Sequence, residues 1–150
     1  MKRIAVGLIP LAVAAAFGCK SEPPPPPPAP VTTTTLPAPA SVGAVTLGNA
    51  IGTDKRVAAP LESFGAKDTI YASVETAGVG HAKLRALWSY VRGEKTAKVD
   101  DTTIEFESSA PATNEFHIAK PSGWPKGDYK VEIFLNDAAA PAVTKTFKVG

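Results

Sequence analysis

The sequence predicts an all-β sandwich of about seven short strands, and three observations predict it. Residues 43 to 150 break into short runs in which apolar and polar side chains alternate. Gly, Pro, Asn and Asp punctuate those runs roughly every ten residues, the spacing of a sandwich. No stretch of this region carries a convincing helical period.

The elements follow in order. Val45, Leu47 and Ile51 line one side of a first strand over residues 44 to 51. A polar stretch leads to Pro60, Leu61 and Phe64 before Gly65. Residues 68 to 76 alternate, with Ile70, Ala72 and Val74 inward and Thr69, Tyr71, Ser73 and Glu75 outward. Gly78 and Gly80 end that run. In residues 82 to 92, Leu84, Leu87, Trp88 and Val91 fit a helix, and Ala82, Leu84, Ala86, Trp88 and Tyr90 fit a strand. The absence of a cap and the flanking strands favour a strand, broken by Gly93. A charged stretch through Asp100 and Asp101 precedes the alternation of Ile104 and Phe106 with Thr103, Glu105 and Glu107. Pro111 and Asn114 turn the chain into a strand with Phe116 and Ile118. Pro121, Gly123, Pro125 and Gly127 make the next connection. Tyr129, Val131, Ile133 and Leu135 then share one strand face, opposite Lys130, Glu132, Phe134 and Asn136. After Asn136, Asp137 and Pro141, a last strand carries Val143, Phe147 and Val149.

Two residues sharpen the expectation. Trp88 falls in the third long strand, and Gly127-Asp128-Tyr129 opens the sixth. These are the places where immunoglobulin-like folds keep a core tryptophan and a tyrosine corner. Residues 44 to 150 therefore resemble an immunoglobulin-like domain. The run Gly123-Trp124-Pro125-Lys126-Gly127-Asp128-Tyr129 and the closing Thr146-Phe147-Lys148-Val149 look like the ending of bacterial immunoglobulin-like modules of exported proteins. The cysteine pair of antibody domains is missing. Ala72 or Val74 and Val131 or Ile133 would fill those places with apolar packing.

The amino terminus supplies an address. Residues 1 to 18 have a charged start at Lys2 and Arg3, an apolar stretch from Ile4 to Phe17, and small residues at Ala16 and Gly18. This is the plan of a secretory signal. The apolar stretch is about 14 residues, short of the roughly 20 a bilayer-spanning helix needs. Ala16-Phe17-Gly18-Cys19 resembles the lipobox of bacterial lipoproteins, with Ala16 where that family more often has Leu. The resemblance implies cleavage before Cys19, diacylglycerol on its sulfur and an acylated new amino terminus. Two or more acyl chains hold a protein firmly where one does so only marginally. Lys20 after the cysteine, rather than Asp, implies sorting to the outer membrane by analogy with enteric lipoproteins.

Residues 19 to 42 form the lipidated cysteine and its linker. Pro23 to Pro28 is an unbroken proline run, followed by Pro30, threonines 32 to 35, Pro37 and Pro39. Proline fixes φ and lacks an N–H, so the stretch cannot build helix or sheet. At about 3.1 Å per residue it extends on the order of 60–70 Å from a membrane. A docking peptide or a glycosylated segment is the alternative to a spacer.

Composition excludes some partners. Lys2 and Arg3 lie in the segment to be removed, and the remaining chain balances its 14 acidic residues with as many basic ones. The pI of about 8.7 therefore belongs largely to the signal, and nucleic acid is not an expected partner. Cys19 is the sole cysteine, so residues 43 to 150 must hold together through a core without disulfides. A segment of that length can bury one.

Catalytic and metal chemistry find little support. The two histidines, His81 and His117, lie far apart in sequence. Asp100, Asp101, Glu105 and Glu107 match no calcium-loop spacing. No Gly-x-Ser-x-Gly elbow or Gly-rich phosphate loop occurs. No cofactor, metal or catalytic residue is expected. Binding is the better expectation, through the aromatics Trp124, Phe134 and Tyr71. Trp124 either anchors a partner or folds over the end of the core, and Phe134 is either displayed or covered by the segment from Pro60 to Phe64. The sequence thus points to a lipid-anchored, non-enzymatic envelope lipoprotein with a protein partner. Carbohydrate or peptidoglycan binding is the alternative, and a secreted hydrolase ranks last.

Overall fold

The computed structural model describes residues 37–150. The expected signal peptide, Cys19 and all of the expected linker before Pro37 lie outside the described residues. Eight strands and no helix make up the described chain: β1 (Ser41–Gly48), β2 (Ser63–Phe64), β3 (Ile70–Ala77), β4 (Gly80–Arg92), β5 (Lys95–Ser108), β6 (Ala112–Ile118), β7 (Gly127–Leu135) and β8 (Val143–Val149). They form a three-stranded sheet in the order β1-β3-β6 and a five-stranded sheet in the order β2-β8-β7-β4-β5. All long pairs are antiparallel, and the short β2 runs parallel to β8. The chain changes sheet at β1–β2, β2–β3, β3–β4, β5–β6 and β6–β7. This is an immunoglobulin-like sandwich whose first, third and sixth strands face the rest.

Alternation decides which side chains fill the space between the sheets. Ile70, Ala72 and Val74 of β3 meet Leu84, Ala86 and Trp88 of β4 and Tyr129, Val131 and Ile133 of β7, all at most 2% exposed. Trp88 is 1% exposed, and its indole N–H has no hydrogen-bond partner among the described residues. Tyr129 donates its hydroxyl to the Pro125 carbonyl at 2.8 Å, closing a tyrosine corner. Its ring stacks on Phe147 at 5.4 Å, and Phe147 meets Trp88 and Phe64 edge-on. Edge and stacked contacts of this kind add to what area burial alone supplies.

The structure moves some boundaries. β1 begins at Ser41 and ends at Gly48, because Val45 and Leu47 pair with Val74 and Ala72. Ile51 lies beyond it, in an isolated bridge with Val57. β5 starts at Lys95 and takes in the charged stretch through Asp101. It is held there by its ladder to β4, with Val99 as an extra residue between the Trp88–Asp100 and Ser89–Lys98 pairs. Residues 82 to 92 are strand, as the alternating reading had it.

Two poles follow from the registers. The described chain enters at one: Val79 N–H donates to Ala38 at 2.9 Å, Pro39 bridges Val79, and Ser41 pairs with Ala77. Gly78 permits this approach, since it has φ +95° and a Cβ there would meet the Pro39 carbonyl oxygen at 2.2 Å. At the opposite pole Ile70 pairs with Ile118, and the β4–β5 hairpin and β6–β7 connection close the sandwich. The six steps along β6 separate the poles by about 20 Å.

Candidate functional site

The site grows out of the β6–β7 connection. Gly123, at φ +91°, turns the chain after Lys120, and its N–H donates to the Lys120 carbonyl at 2.8 Å. The turn drops Trp124 onto the segment before β3. Trp124 N–H donates to the Ala66 carbonyl at 2.7 Å, and its indole N–H to the Asp68 carbonyl at 2.9 Å. That segment is itself set by Asp68, whose carboxylate accepts the Gly65 N–H at 2.8 Å. Lys67 donates to the Pro121 carbonyl at 2.8 Å and closes the same seam.

Trp124 is therefore not a displayed anchor. It is 6% exposed, edge-on to Tyr129 at 6.2 Å, and belongs to the core. With its N–H satisfied by a backbone carbonyl, burial carries no unpaired-donor penalty. Its edge forms one wall of a cleft of about 650 Å³. Tyr90 forms another part, packed on Tyr129 at 4.9 Å and donating to the Lys126 carbonyl at 3.2 Å. Gly127 lets that ring approach, because a Cβ there would meet Tyr90 atoms at 2.8 Å.

The cleft opens between the two sheets, where β5 and β6 are both edges. Lys98, Val99, Asp100 and Thr102 supply one lip, and His117, Ile118, Ala119 and Lys120 the other. Asp100 accepts the Thr102 hydroxyl at 2.7 Å. Lys120 Nζ lies 6.0 Å from the Trp124 ring centroid. Burial pushes the Tyr129 phenol above its ordinary value, and Tyr90 adds to the shift. Tyr129 thus stays a neutral donor at the base of the cleft.

The other aromatics do not join it. Tyr71 is half-buried on the outer face of the three-stranded sheet, against His117 at 5.4 Å. Phe134 is half-buried on the outer face of the five-stranded sheet. Its cover is the Arg85 guanidinium, 5.4 Å from the ring centroid, and not the segment from Pro60 to Phe64, where Phe64 packs on Phe147. Arg85 binds Asp101 through two bonds of 2.7 and 2.8 Å. The hydrogen bond from Arg85 holds the Asp101 carboxyl below the usual carboxylate range, against the effect of burial. Lys83 pairs with Asp137 at 2.9 Å and Lys130 with Glu132 at 2.9 Å, so this face neutralises its own charges. Among the described residues, Val79 at 36% stands as the exposed large hydrophobic, and Phe134 is only half-buried.

Each histidine meets a glutamate at 3.0 Å, His81 with Glu107 and His117 with Glu115. Neither bonds a serine hydroxyl among the described residues. There too, no three His, Cys, Asp or Glu side chains gather to hold a metal. Sequence reasoning missed Tyr90, Asp100 and Thr102 as cleft residues. The signal it had was Trp124 in a Gly- and Pro-flanked connection, which marks the right end of the sandwich but not the strand edges beside it.

No protein family profile and no curated protein matches the chain. Solved structures match its shape. A β-glucosidase of Erythrobacter marinus superposes with a TM-score of 0.50 at 11% identity, covering 76% of this chain and 16% of its own. An immunoglobulin-like protein of Pseudomonas aeruginosa gives 0.47 at 14% identity, over 75% of this chain and 98% of its own. A β-glucosidase of Listeria innocua, solved with glucose, gives 0.46 at 7% identity, over 74% and 16%. This chain spans about a sixth of the glucosidases' length, and likeness at such identity concerns the fold alone.

Proposed function

We propose that this protein is a lipid-anchored, non-enzymatic module of the bacterial cell envelope that engages another envelope protein through the cleft beside Trp124. Cys19 carries the lipid, in the outer membrane, and the proline-rich linker holds the domain off the surface. The observation that carries the reading is the position of the cleft. It lies at the pole opposite the one where Pro39 and Ser41 bring the chain in. A tether at one pole leaves the other free to meet a partner. The charge-paired outer face of the five-stranded sheet supports the same choice, since satisfied surface pairs offer little to a partner.

Glycan binding is the second reading. It is favoured by Tyr90, Asp100 and Thr102 around a volume that takes a sugar ring. Against it, Trp124 and Tyr129 are 6% and 2% exposed and Lys120 lies over the Trp124 ring, so little aromatic surface is offered for stacking. The glucosidase likeness adds nothing to it, because the matched part is a small fraction of those enzymes.

A photo-crosslinker at Thr102 in the membrane-bound full chain tests the proposal. An adduct with another envelope protein is expected. Its absence, together with co-sedimentation of the chain with insoluble peptidoglycan, would replace the protein reading by the glycan one.

A further inference from the structure

We infer that the slot between β5 and β6 receives an extended, acidic segment of the partner, which adds to the three-stranded sheet beside β6. This rests on the reading that the cleft engages a protein. Constant-type immunoglobulin sheets carry a fourth strand beside the counterpart of β6. Here β6 is the edge of a three-stranded sheet, and β5 belongs to the other sheet. An edge strand presents unpaired N–H and C=O groups, and an added strand gains affinity from them and specificity from alternate side chains.

The two edges facing the slot differ. The β4–β5 ladder is interrupted at Val99, within the stretch that lines the cleft, and a bulge blunts pairing. The β3–β6 register runs unbroken from Ala112 to Ile118. β6 is therefore the edge fit to template a new strand. Side chains of that strand pointing inward would meet Ile118, Val99 and the edge of Trp124, an apolar floor beneath a polar rim. The rim is basic. Lys98 and Lys120 supply its ammonium groups, and Lys98 lies 3.8 Å from Asp101, which Arg85 already binds. Asp100 is engaged by Thr102, while His117 is taken up by Glu115. Lys120 pairs with no carboxylate among the described residues, and its ammonium lies over Trp124. An occupant alternating apolar and acidic residues satisfies both the floor and the rim. The chain's own linker does not, because its prolines cannot donate to a ladder.

Hydrogen exchange on the full-length lipidated chain in detergent tests this, with two synthetic peptides that alternate valine with glutamate or valine with lysine. The glutamate peptide at about 1 mM is expected to slow exchange of the β6 amides roughly tenfold, and the lysine peptide to leave them unchanged. Ala119→Trp places an indole in the slot from an exposed position and should abolish the protection without moving the thermal midpoint. Should that variant unfold, Lys120→Glu is read instead and should reverse the preference between the peptides. Protection at β5 or β1, equal protection by both peptides, or none, overturns the inference. So does concentration-dependent protection of β6 without peptide, which would assign the slot to a second copy. A partner adduct from Thr102 without β6 protection overturns strand addition and leaves the cleft reading standing. Loss of both overturns both.

Discussion

The indole N–H of Trp124 reaches the backbone carbonyl of Asp68 at 2.9 Å, across 56 positions of chain. This bond joins the β6–β7 connection to the segment before β3 and fixes the far pole of the sandwich. Trp124→Ala should cost about 3–5 kcal/mol, the range for a truncated buried aromatic. Trp124→Phe keeps most of the apolar contact and should cost at least about 1 kcal/mol for the lost donor. Denaturant titration of both variants checks the order. Equal, small losses would show that the connection is not part of the core.

The core tryptophan and the tyrosine corner make a second pair. Trp88→Ala should cost about 3–5 kcal/mol or unfold the domain. Tyr129→Phe removes only the bond to Pro125 and should cost about 1 kcal/mol, with the stack on Phe147 retained. The contrast is read from chemical denaturation midpoints. A loss below about 1 kcal/mol for Trp88→Ala would contradict its place between the sheets.

The Arg85–Asp101 pair gives a pH dependence with a definite sign. Arg85 lowers the folded pKa of Asp101 below its unfolded value, near 3.9 for a free Asp. The contribution is complete above the unfolded value and is lost as pH falls through the lower folded value. Wild type should therefore be more stable than Asp101→Asn at pH 7, and the gap should shrink as pH falls below the ordinary carboxylate range. Paired urea midpoints over that fall in pH measure it. A gap that widens on acidification would reverse the assignment.

The anchor is tested at one atom. Cys19→Ser removes the sulfur that the proposed lipid needs, and the chain should move from the membrane fraction to the soluble one. Retention in the membrane, with residues 1 to 18 still attached, would contradict lipidation.

How much of this was legible in the sequence depends on what set each feature. The strands of the core were legible, because burial imposes a period of two on Ile70 to Val74 and on Tyr129 to Ile133. The first half of β5 was not. Lys95 to Lys98 carry no inward apolar residue, and the extra Val99 breaks the alternation. β2 escaped for another reason: its two residues are held by a parallel ladder to Lys148 and Val149, which no local pattern encodes. Trp124 was visible as unusual, yet its burial depends on Ala66 and Asp68, far away in sequence. The cleft was least legible, since it lies between two strand edges and no single segment contains it.

The central claim is that the pole carrying the cleft meets the partner. The measurement that tests it most directly compares photo-crosslinkers at Thr102, on the cleft lip, and at Ala139, in the exposed β7–β8 turn at the pole where the described chain enters, in native envelopes. A protein adduct formed from Thr102 and not from Ala139 is the predicted result. Adducts from Ala139 alone, or from both positions in equal yield, would contradict it.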